Sequence, residues 1–243
     1  MRVRKIINRG LNPLTGYEIS KVEFGRDLWP DVKTVLAGNK IETVFDVGAN
    51  EGQSAREFLH LFPGARIFCF EPTPATFGQL RSFADTQPLV TPVNKALGES
   101  PGTAAFNENA FHQTNSLLAA SPQSADHLGP QVVERLKTIE VEMTTLDGFC
   151  REASVNRIDL LKIDVQGYEL SVLKGAGELL AGRKIGCVTL EVNFVPLYVN
   201  QASFQDLVAL FSSHRYDLMG FYSFAHSREN QLMWCELLFA PHR

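Results

Sequence analysis

The sequence predicts one α/β domain built on a doubly wound, mostly parallel sheet with helices on both faces. First, an apolar, β-prone stretch leads into a glycine turn, and apolar residues at helical spacing follow it as far as Phe62. Second, strand and helix patterns alternate along the rest of the chain, with no internal repeat and no linker. Third, 243 residues that are 44% hydrophobic are enough to bury one full core. We therefore treat residues 1–243 as a single domain.

Residues 1–40 are an N-terminal extension to this domain. Val32, Val35 and Leu36 are spaced as on a helix, so we expect a short helix before the first strand. Four basic side chains lie in the first ten residues: Arg2, Arg4, Lys5 and Arg9. They form either a contact arm or a solvated tail.

The turn after the first strand reads Gly48-Ala49-Asn50-Glu51-Gly52. Its glycines allow positive φ and a close approach of a ligand to the main chain. Dinucleotide-binding turns carry a glycine where this chain has Asn50, and that glycine lets a pyrophosphate reach the backbone. Asn50 therefore disfavours an NAD-dependent oxidoreductase. An amide beside the strand-end Asp46 suits a cationic amino-acid ligand such as S-adenosylmethionine, although a Rossmann-like turn with another ligand, or none, stays open.

The second strand, 66–70, is followed directly by Glu71. A carboxylate about 20 residues after such a turn accepts hydrogen bonds from ribose hydroxyls. Pro72-Thr73-Pro74 then predicts the start of a helix that carries apolar residues as far as Phe83. A third strand is expected near 89–97.

Residues 107–137 form a polar stretch of little periodicity between a short strand, 102–106, and a strand at 138–143. A loop of this length inside a compact domain is usually a lid or a binding segment. An exposed, variable insertion is the alternative. Thr145 is expected to cap the helix that follows.

A second informative stretch begins with the strand 158–164, which ends in Asp164. The turn Val165-Gln166-Gly167-Tyr168-Glu169 follows, and then a helix that ends near Gly175. Glu169 serves either the site or only the dipole of that helix. The next strand, 187–192, places Glu191 and Asn193 at its carboxyl end.

The C-terminal part predicts a helix and two closing strands. Apolar residues at helical spacing run from Phe204 to Phe211. The strands are expected at 216–221 and 231–239, with a polar loop at 223–230.

The two informative stretches together resemble the FkbM family of S-adenosylmethionine-dependent methyltransferases. The matching segments span roughly 44–192 and are 46–52, 70–72, 96–99, 145–147, 161–169 and 173–176, with the acid Glu191. Their order and spacing are more specific than any one of them. The resemblance implies the seven-stranded, Rossmann-like sheet of class I methyltransferases, and O-methylation of a hydroxyl on a natural product or sugar.

The resemblance also implies the residues that bind the cofactor, S-adenosylmethionine. The methionine end would be lined by Asp46, Gly48, Asn50 and Gly52. Glu71 would bind the ribose, and residues 94–96, with Asn94 and Ala96, would lie near the adenine. Asp164 would face the centre of methyl transfer.

Methyl transfer to a hydroxyl needs a group that removes the hydroxyl proton. The candidates are Asp164, Glu191, Lys162 and His112. The two acids should lie at the carboxyl ends of adjacent strands, and the imidazole of His112 has the most suitable ordinary pKa. Lys162, two residues before Asp164, could instead form a structural ion pair, and a lone loop histidine could be plain surface. Asn115 and Ser116 could bind a polar acceptor.

Asp164, Glu191 and Asn193 also form an all-oxygen set of possible metal ligands. Such ligands suit Mg²⁺, which would polarise the acceptor hydroxyl and lower its pKa. Carboxylates at strand ends are common without a metal. The set is therefore compatible with Mg²⁺ as a second cofactor but does not require it.

The composition limits the partners that we expect. A net charge of −4 offers no basic footprint for nucleic acid, and we expect a small-molecule hydroxyl acceptor instead. No signal peptide or membrane span is predicted. The four cysteines are scattered without C-x-x-C spacing, which favours reduced core residues and a cytoplasmic protein.

Two other functions stay open. An N-methyltransferase would use the same fold and cofactor, but Asp164 is not followed by the Pro-Pro-aromatic motif of many base-amino methyltransferases. A non-catalytic nucleotide-binding module would bind the cofactor without an acceptor. The sequence leaves the identity of the acceptor and the oligomeric state undetermined.

Overall fold

The computed structural model describes residues 23–36 and 39–242. The basic cluster in the first ten residues lies outside them. Within the described residues, the strands are, in chain order, β1 (Thr43–Val47), β2 (Arg66–Phe70), β3 (Val90–Val93), β4 (Ala96–Leu97), β5 (Gly102–Asn109), β6 (Arg135–Thr144), β7 (Ile158–Ile163), β8 (Ile185–Asn193), β9 (Tyr216–His226) and β10 (Leu232–Pro241). The helices are α1 (Leu28–Val35), α2 (Gln53–Leu61), α3 (Pro74–Ala84), α4 (Ser124–Leu128), α5 (Pro130–Val133), α6 (Leu146–Glu152), α7 (Glu169–Lys174), α8 (Gly177–Ala181) and α9 (Phe204–Ser213).

The larger sheet has seven strands in the order β3-β2-β1-β7-β8-β10-β9. Strands β3, β2, β1, β7 and β8 are mutually parallel, and β10 runs antiparallel to both of its neighbours. The first of these strands along the chain, β1, lies in the middle of the sheet. The next two strands, β2 and β3, extend the sheet to one side, and the chain then returns to β7 on the other side of β1. This order confirms the predicted doubly wound sheet, and it creates a switch point between β1 and β7 where ligands bind in such folds.

Apolar side chains pack on both faces of this sheet, which explains why its central strands carry apolar residues at consecutive positions. Neighbouring residues of β1 alternate between two clusters, because successive strand residues point to opposite faces. Val44 belongs to the cluster that includes residues of α1, α2 and α3, and Phe45 belongs to the cluster that includes residues of α6 to α9. None of the helices in the described residues has the length and hydropathy that a bilayer crossing requires. All four cysteines are buried and unpaired.

The predicted third strand is in fact two strands that belong to different sheets. Strand β3 pairs with β2, whereas β4 pairs with β6 in a small sheet of order β4-β6-β5. Between the two strands, the side-chain amide of Asn94 donates hydrogen bonds to the carbonyl oxygens of Glu71 and Pro72. These bonds turn the chain away from β2, so one continuous strand at 89–97 was wrong.

Two other predicted boundaries also move. Strands β5 and β6 pair from Gly102 opposite Met143 to Asn109 opposite Arg135, and so extend into the predicted polar stretch from both sides. Strand β9 continues to His226, so the loop expected at 223–230 is shorter than predicted. In both places cross-strand pairing, which single-strand periodicity does not reveal, extends the strands.

Candidate active site

A cavity of about 460 Å³ lies at the carboxyl ends of β1, β2, β7 and β8. Its volume is in the range of small-molecule and cofactor sites. Several of the predicted site residues line it: Gly48, Asn50, Glu71, Ala96, His112, Lys162, Asp164 and Glu191. Three others, Asp46, Gly52 and Asn94, lie beside it and are not part of its lining.

The two glycines of the first turn are required by packing. Gly48 and Gly52 have φ values of 81° and 86°. A Cβ atom on Gly48 would overlap the carbonyl oxygen of Asp164. A Cβ atom on Gly52 would lie 2.9 Å from the ring of Phe83 on α3. At these two glycines, therefore, the groups that come close to the main chain are protein atoms, where the sequence predicted a ligand.

Glu71 holds the first turn in shape while its carboxylate lines the cavity. Its Oε2 accepts a hydrogen bond from the backbone N–H of Asn50 at 3.1 Å, and its Oε1 accepts from the backbone N–H and hydroxyl of Thr73. Burial raises the pKa of Glu71, and the hydrogen bonds from Thr73 and Asn50 offset part of that rise. The Asn50 side chain accepts the N–H of Glu51 at 2.8 Å, so it caps its own turn.

Lys162 joins two carboxylates beneath the cavity. Its Nζ lies 3.3 Å from Oδ1 of Asp46 and 3.6 Å from Oδ2 of Asp164. Burial by itself would lower the pKa of Lys162, but the two carboxylates outweigh burial and raise it. For the acid Asp46 burial has the opposite effect and raises the pKa, and Lys162 opposes that rise. Lys162 is therefore a charged partner for two acids, which favours the structural ion pair over a neutral lysine base.

Glu191 differs from Asp46, Glu71 and Asp164 in the polar contacts of its carboxylate. The register of β7 and β8 pairs Ile163 with Leu190 and so brings Asp164 beside Glu191, as predicted. No hydrogen bond or ion pair reaches the Glu191 carboxylate from the residues that the structure describes. Burial raises its pKa well above the usual range, and the nearby Asp164 raises it further. A raised pKa favours the protonated acid, so Glu191 can act as a base only when a nearby positive charge restores its carboxylate.

Glu169 lies behind the cavity wall and holds the second turn. Its side chain is 2% exposed, and its Oε1 accepts the backbone N–H groups of Gly167 at 3.1 Å and Val165 at 3.3 Å. Burial raises its pKa to about 7. Glu169 does not line the cavity. Of the two roles left open by the sequence, the structure therefore favours the structural one, in which Glu169 holds the turn that follows Asp164.

The segment 107–137 places three polar side chains on the cavity: His112, Gln113 and Asn115. His112 lies in a short 3₁₀ turn, with its Nε2 3.8 Å from a carboxylate oxygen of Glu51. Ser116, in contrast, is buried and bonded to protein groups. The segment thus forms one wall of the cavity, and its action as a lid stays a prediction.

The proposed metal ligands do not come together. Asn193 lines a separate cavity of about 440 Å³, whereas Asp164 and Glu191 line the first one. Among the described residues, no group of three or more His, Cys, Asp or Glu side chains is placed to hold a metal ion. The structure therefore gives no support to Mg²⁺.

The comparison with known sequences identifies the family. The sequence model described as "Methyltransferase FkbM domain" matches residues 46–218. The chain belongs to the FkbM methyltransferase family. It is an S-adenosylmethionine-dependent methyltransferase, as the resemblance implied.

Similar proteins include three named methyltransferases. The 2-O-methyltransferase NoeI of Sinorhizobium fredii is 32% identical, over 70% of this chain and 71% of that protein. The hexuronic acid methyltransferase AglP of Haloferax volcanii is 28% identical, over 63% of this chain and 56% of that protein. The 31-O-demethyl-FK506 methyltransferase FkbM of Streptomyces tacrolimicus is 27% identical, over 73% of this chain and 74% of that protein. Among solved structures, the METTL16 MTase domain is similar with a TM-score of 0.50 and 12% identity, over 99% of this chain and 80% of that chain, which shows the fold alone.

The residues of the FkbM-family cavity fit S-adenosylmethionine. Glu71 offers a carboxylate for a vicinal diol, and Ala96 and Leu97 offer an apolar surface for a flat base. Asp164 and Glu191 place two carboxyl groups on the cavity wall, and a sulfonium or ammonium group beside them would favour their ionised form. This mixture of an apolar surface and few polar groups is typical of cofactor sites.

Sequence reasoning missed Tyr198 and the role of Gln166. Gln166 lines the cavity and accepts a hydrogen bond from the hydroxyl of Tyr198, 32 positions further along the chain. No local motif marks Tyr198, because its contact with the second turn exists only in the folded chain.

Proposed function

We propose that this enzyme methylates a hydroxyl group of a small molecule, with Glu191 as the group that accepts the hydroxyl proton. The observation that carries the proposal is that Glu191 lines the cavity and that no hydrogen bond or ion pair joins its carboxylate to another of the described residues. The names of the relatives support an oxygen acceptor, since two of them specify O-methylation or an O-demethyl substrate. A sugar or natural-product hydroxyl is the acceptor class that we expect.

In the proposed site, Glu71 binds the ribose, and Gly48 and Asn50 offer backbone groups at the methionine end. S-adenosylmethionine supplies an electrophilic methyl group on a sulfonium, whose positive charge favours the ionised form of nearby carboxylates. Asp164, held by Lys162, fixes one side of the reaction centre. Glu191 then receives the proton as the acceptor oxygen is methylated, a role that contributes about 10²- to 10⁴-fold to a rate.

His112, Gln113 and Asn115 are proposed to contact the acceptor from the opposite wall. They belong to the segment 107–137, which we propose closes over the site. Mg²⁺ has no part in this proposal, and loss of activity on exhaustive chelation would contradict it. We also propose a cytoplasmic location, which the four buried, unpaired cysteines support.

The experiment that tests the proposal offers the protein matched pairs of acceptors, each as an alcohol and as the corresponding amine. The pairs are built on sugars, phenols and macrolides, and S-adenosylhomocysteine release is measured. We expect transfer to an alcohol, and a Glu191→Gln variant whose kcat falls by about 10²-fold or more. Glu57→Gln, on the exposed face of α2, is the matched control. Methylation of the amines alone, or a Glu191→Gln variant with wild-type kcat, would refute the assignment.

The cofactor site has a separate test in Glu71→Ala, measured by calorimetric titration of S-adenosylhomocysteine. Loss of a charged hydrogen-bond acceptor should weaken binding by about tenfold or more. Unchanged affinity would show that Glu71 does not bind the ribose.

A further inference from the structure

Tyr198 is a buried tyrosine that reaches the active-site turn from the segment after β8. Its side chain is 3% exposed and packs with Val195, Leu197 and Met233. Its hydroxyl donates a hydrogen bond to Oε1 of Gln166 at 2.8 Å. Burial raises the pKa of Tyr198, so the hydroxyl keeps its proton and remains a donor.

The Tyr198 hydroxyl determines which way the Gln166 amide faces. Since Oε1 of Gln166 accepts from Tyr198, the amide nitrogen Nε2 must face the other way, and it donates to Oδ1 of Asp164 at 2.8 Å. The other oxygen of Asp164, Oδ2, lies 3.6 Å from Nζ of Lys162. Both oxygens of this cavity acid therefore have a fixed partner, and one of those partners is oriented by Tyr198.

The same turn is joined to the wall formed by 107–137. The hydroxyl of Ser116, which is 1% exposed, donates to the backbone carbonyl of Gln166 at 2.8 Å. The Tyr198 hydroxyl also lies 3.3 Å from the carbonyl oxygen of Thr114. Tyr198 and Ser116 therefore connect the Asp164 turn to residues beside His112 and Asn115, which line the cavity.

We propose that Tyr198 is a positioning residue that acts through Gln166 to hold the Asp164 carboxylate in the geometry that binds S-adenosylmethionine. It does not line the cavity itself. Without its hydroxyl, the Gln166 amide can rotate, and Asp164 loses a neutral donor on one oxygen. The inference rests on the proposed role of Asp164 in the cofactor site.

A matched control distinguishes positioning from ordinary stabilisation. Tyr216 is also a buried tyrosine, at 2% exposed, and its hydroxyl donates to the carbonyl oxygen of Ile185 at 2.9 Å. This bond lies at the start of β8, at the opposite end of the strand from the cavity. Tyr216→Phe therefore removes a comparable hydrogen bond from a site that does not touch Asp164.

The test is a double-mutant cycle on S-adenosylhomocysteine binding, measured by calorimetric titration with the full-length protein. The variants are Tyr198→Phe, Gln166→Ala and the double variant, with Tyr216→Phe as the control. Urea unfolding of each variant measures stability separately. We expect Tyr198→Phe to weaken binding about tenfold, as for the loss of one hydrogen bond at a charged group. We expect the double variant to bind no more weakly than Gln166→Ala, because the tyrosine acts only through that amide.

Three outcomes would overturn the inference. Wild-type affinity in Tyr198→Phe would show that the hydroxyl does not position the site. If the loss of affinity in the double variant were the product of the losses in the two single variants, Tyr198 would act by a route other than Gln166. An equal loss in Tyr216→Phe would assign the effect to stability alone. If the wild-type protein itself does not bind S-adenosylhomocysteine, the proposed function falls as well, and that result is distinct from the other three.

Discussion

The buried Glu169 gives the fold a pH dependence that one isosteric substitution should remove. Its pKa rises from 4.5 to about 7 because burial disfavours the carboxylate. Between these two values the folded protein keeps a proton that the unfolded chain has released. The stabilisation from this group is therefore complete below pH 4.5 and is lost as the pH rises through 7.

Glutamine at position 169 keeps the shape of the protonated acid. Its amide oxygen can accept the same N–H groups of Val165 and Gly167, but it does not titrate. We therefore expect Glu169→Gln to be more stable than the wild type at high pH, with a difference that vanishes in acid. The difference should grow by about 2 kcal/mol between pH 5 and pH 7 and approach about 3 kcal/mol above pH 8.

The assay is urea unfolding at several pH values, followed by the fluorescence of Trp29 and Trp234 and extrapolated linearly to water. Comparing the variant with the wild type isolates Glu169 from the other buried acids, which are common to both. Glu57→Gln, an exposed acid on α2, serves as the control and should give a curve parallel to the wild type. Parallel curves for Glu169→Gln and the wild type would refute the reasoning, as would a variant that is less stable at pH 8.

Two further substitutions test the packing and the charge balance under the site. Gly48→Ala places a methyl group against the backbone carbonyl oxygen of Asp164, at a φ of 81°. We expect the free energy of unfolding in urea to fall by several kcal/mol, on the order of the combined strain from overpacking and from a left-handed backbone. Gly78→Ala, on the open face of α3, has no atom within 4 Å of the new methyl group and should instead be neutral or gain up to about 1 kcal/mol. Lys162→Met leaves the fully buried Asp46 without its partner and should cost about 3–5 kcal/mol in the same assay. Lys174→Met breaks only an exposed ion pair and should cost less than about 1 kcal/mol.

Equal stabilities within either pair would contradict the corresponding argument. If Gly48→Ala folded as well as Gly78→Ala, the turn would have room that the structure does not show. If Lys162→Met were no less stable than Lys174→Met, the buried lysine would not be needed to balance Asp46.

Local sequence determined the elements that depend on neighbouring residues in the chain. The turn at Gly48, the N-cap at Thr145, whose hydroxyl accepts the N–H of Gly148 at 2.9 Å, and the acid Glu71 after its strand are all features of a few consecutive residues. Consecutive apolar residues in the first strand, such as Val44 and Phe45, likewise indicated a sheet covered on both faces. These patterns were sufficient to predict the doubly wound fold, the family and the cofactor.

Tertiary structure alone decided which side chains share an environment. Asp46 was predicted to line the cofactor site, but its carboxylate is directed at Lys162, which comes from a neighbouring strand far along the chain. Asn193 follows Glu191 by two residues, yet it lines a different cavity. Tyr198 reaches Gln166 through a contact that no local pattern encodes. Periodicity assigns a residue to an element and a face, whereas the partners of a buried polar group depend on which strands and segments the folded chain brings together.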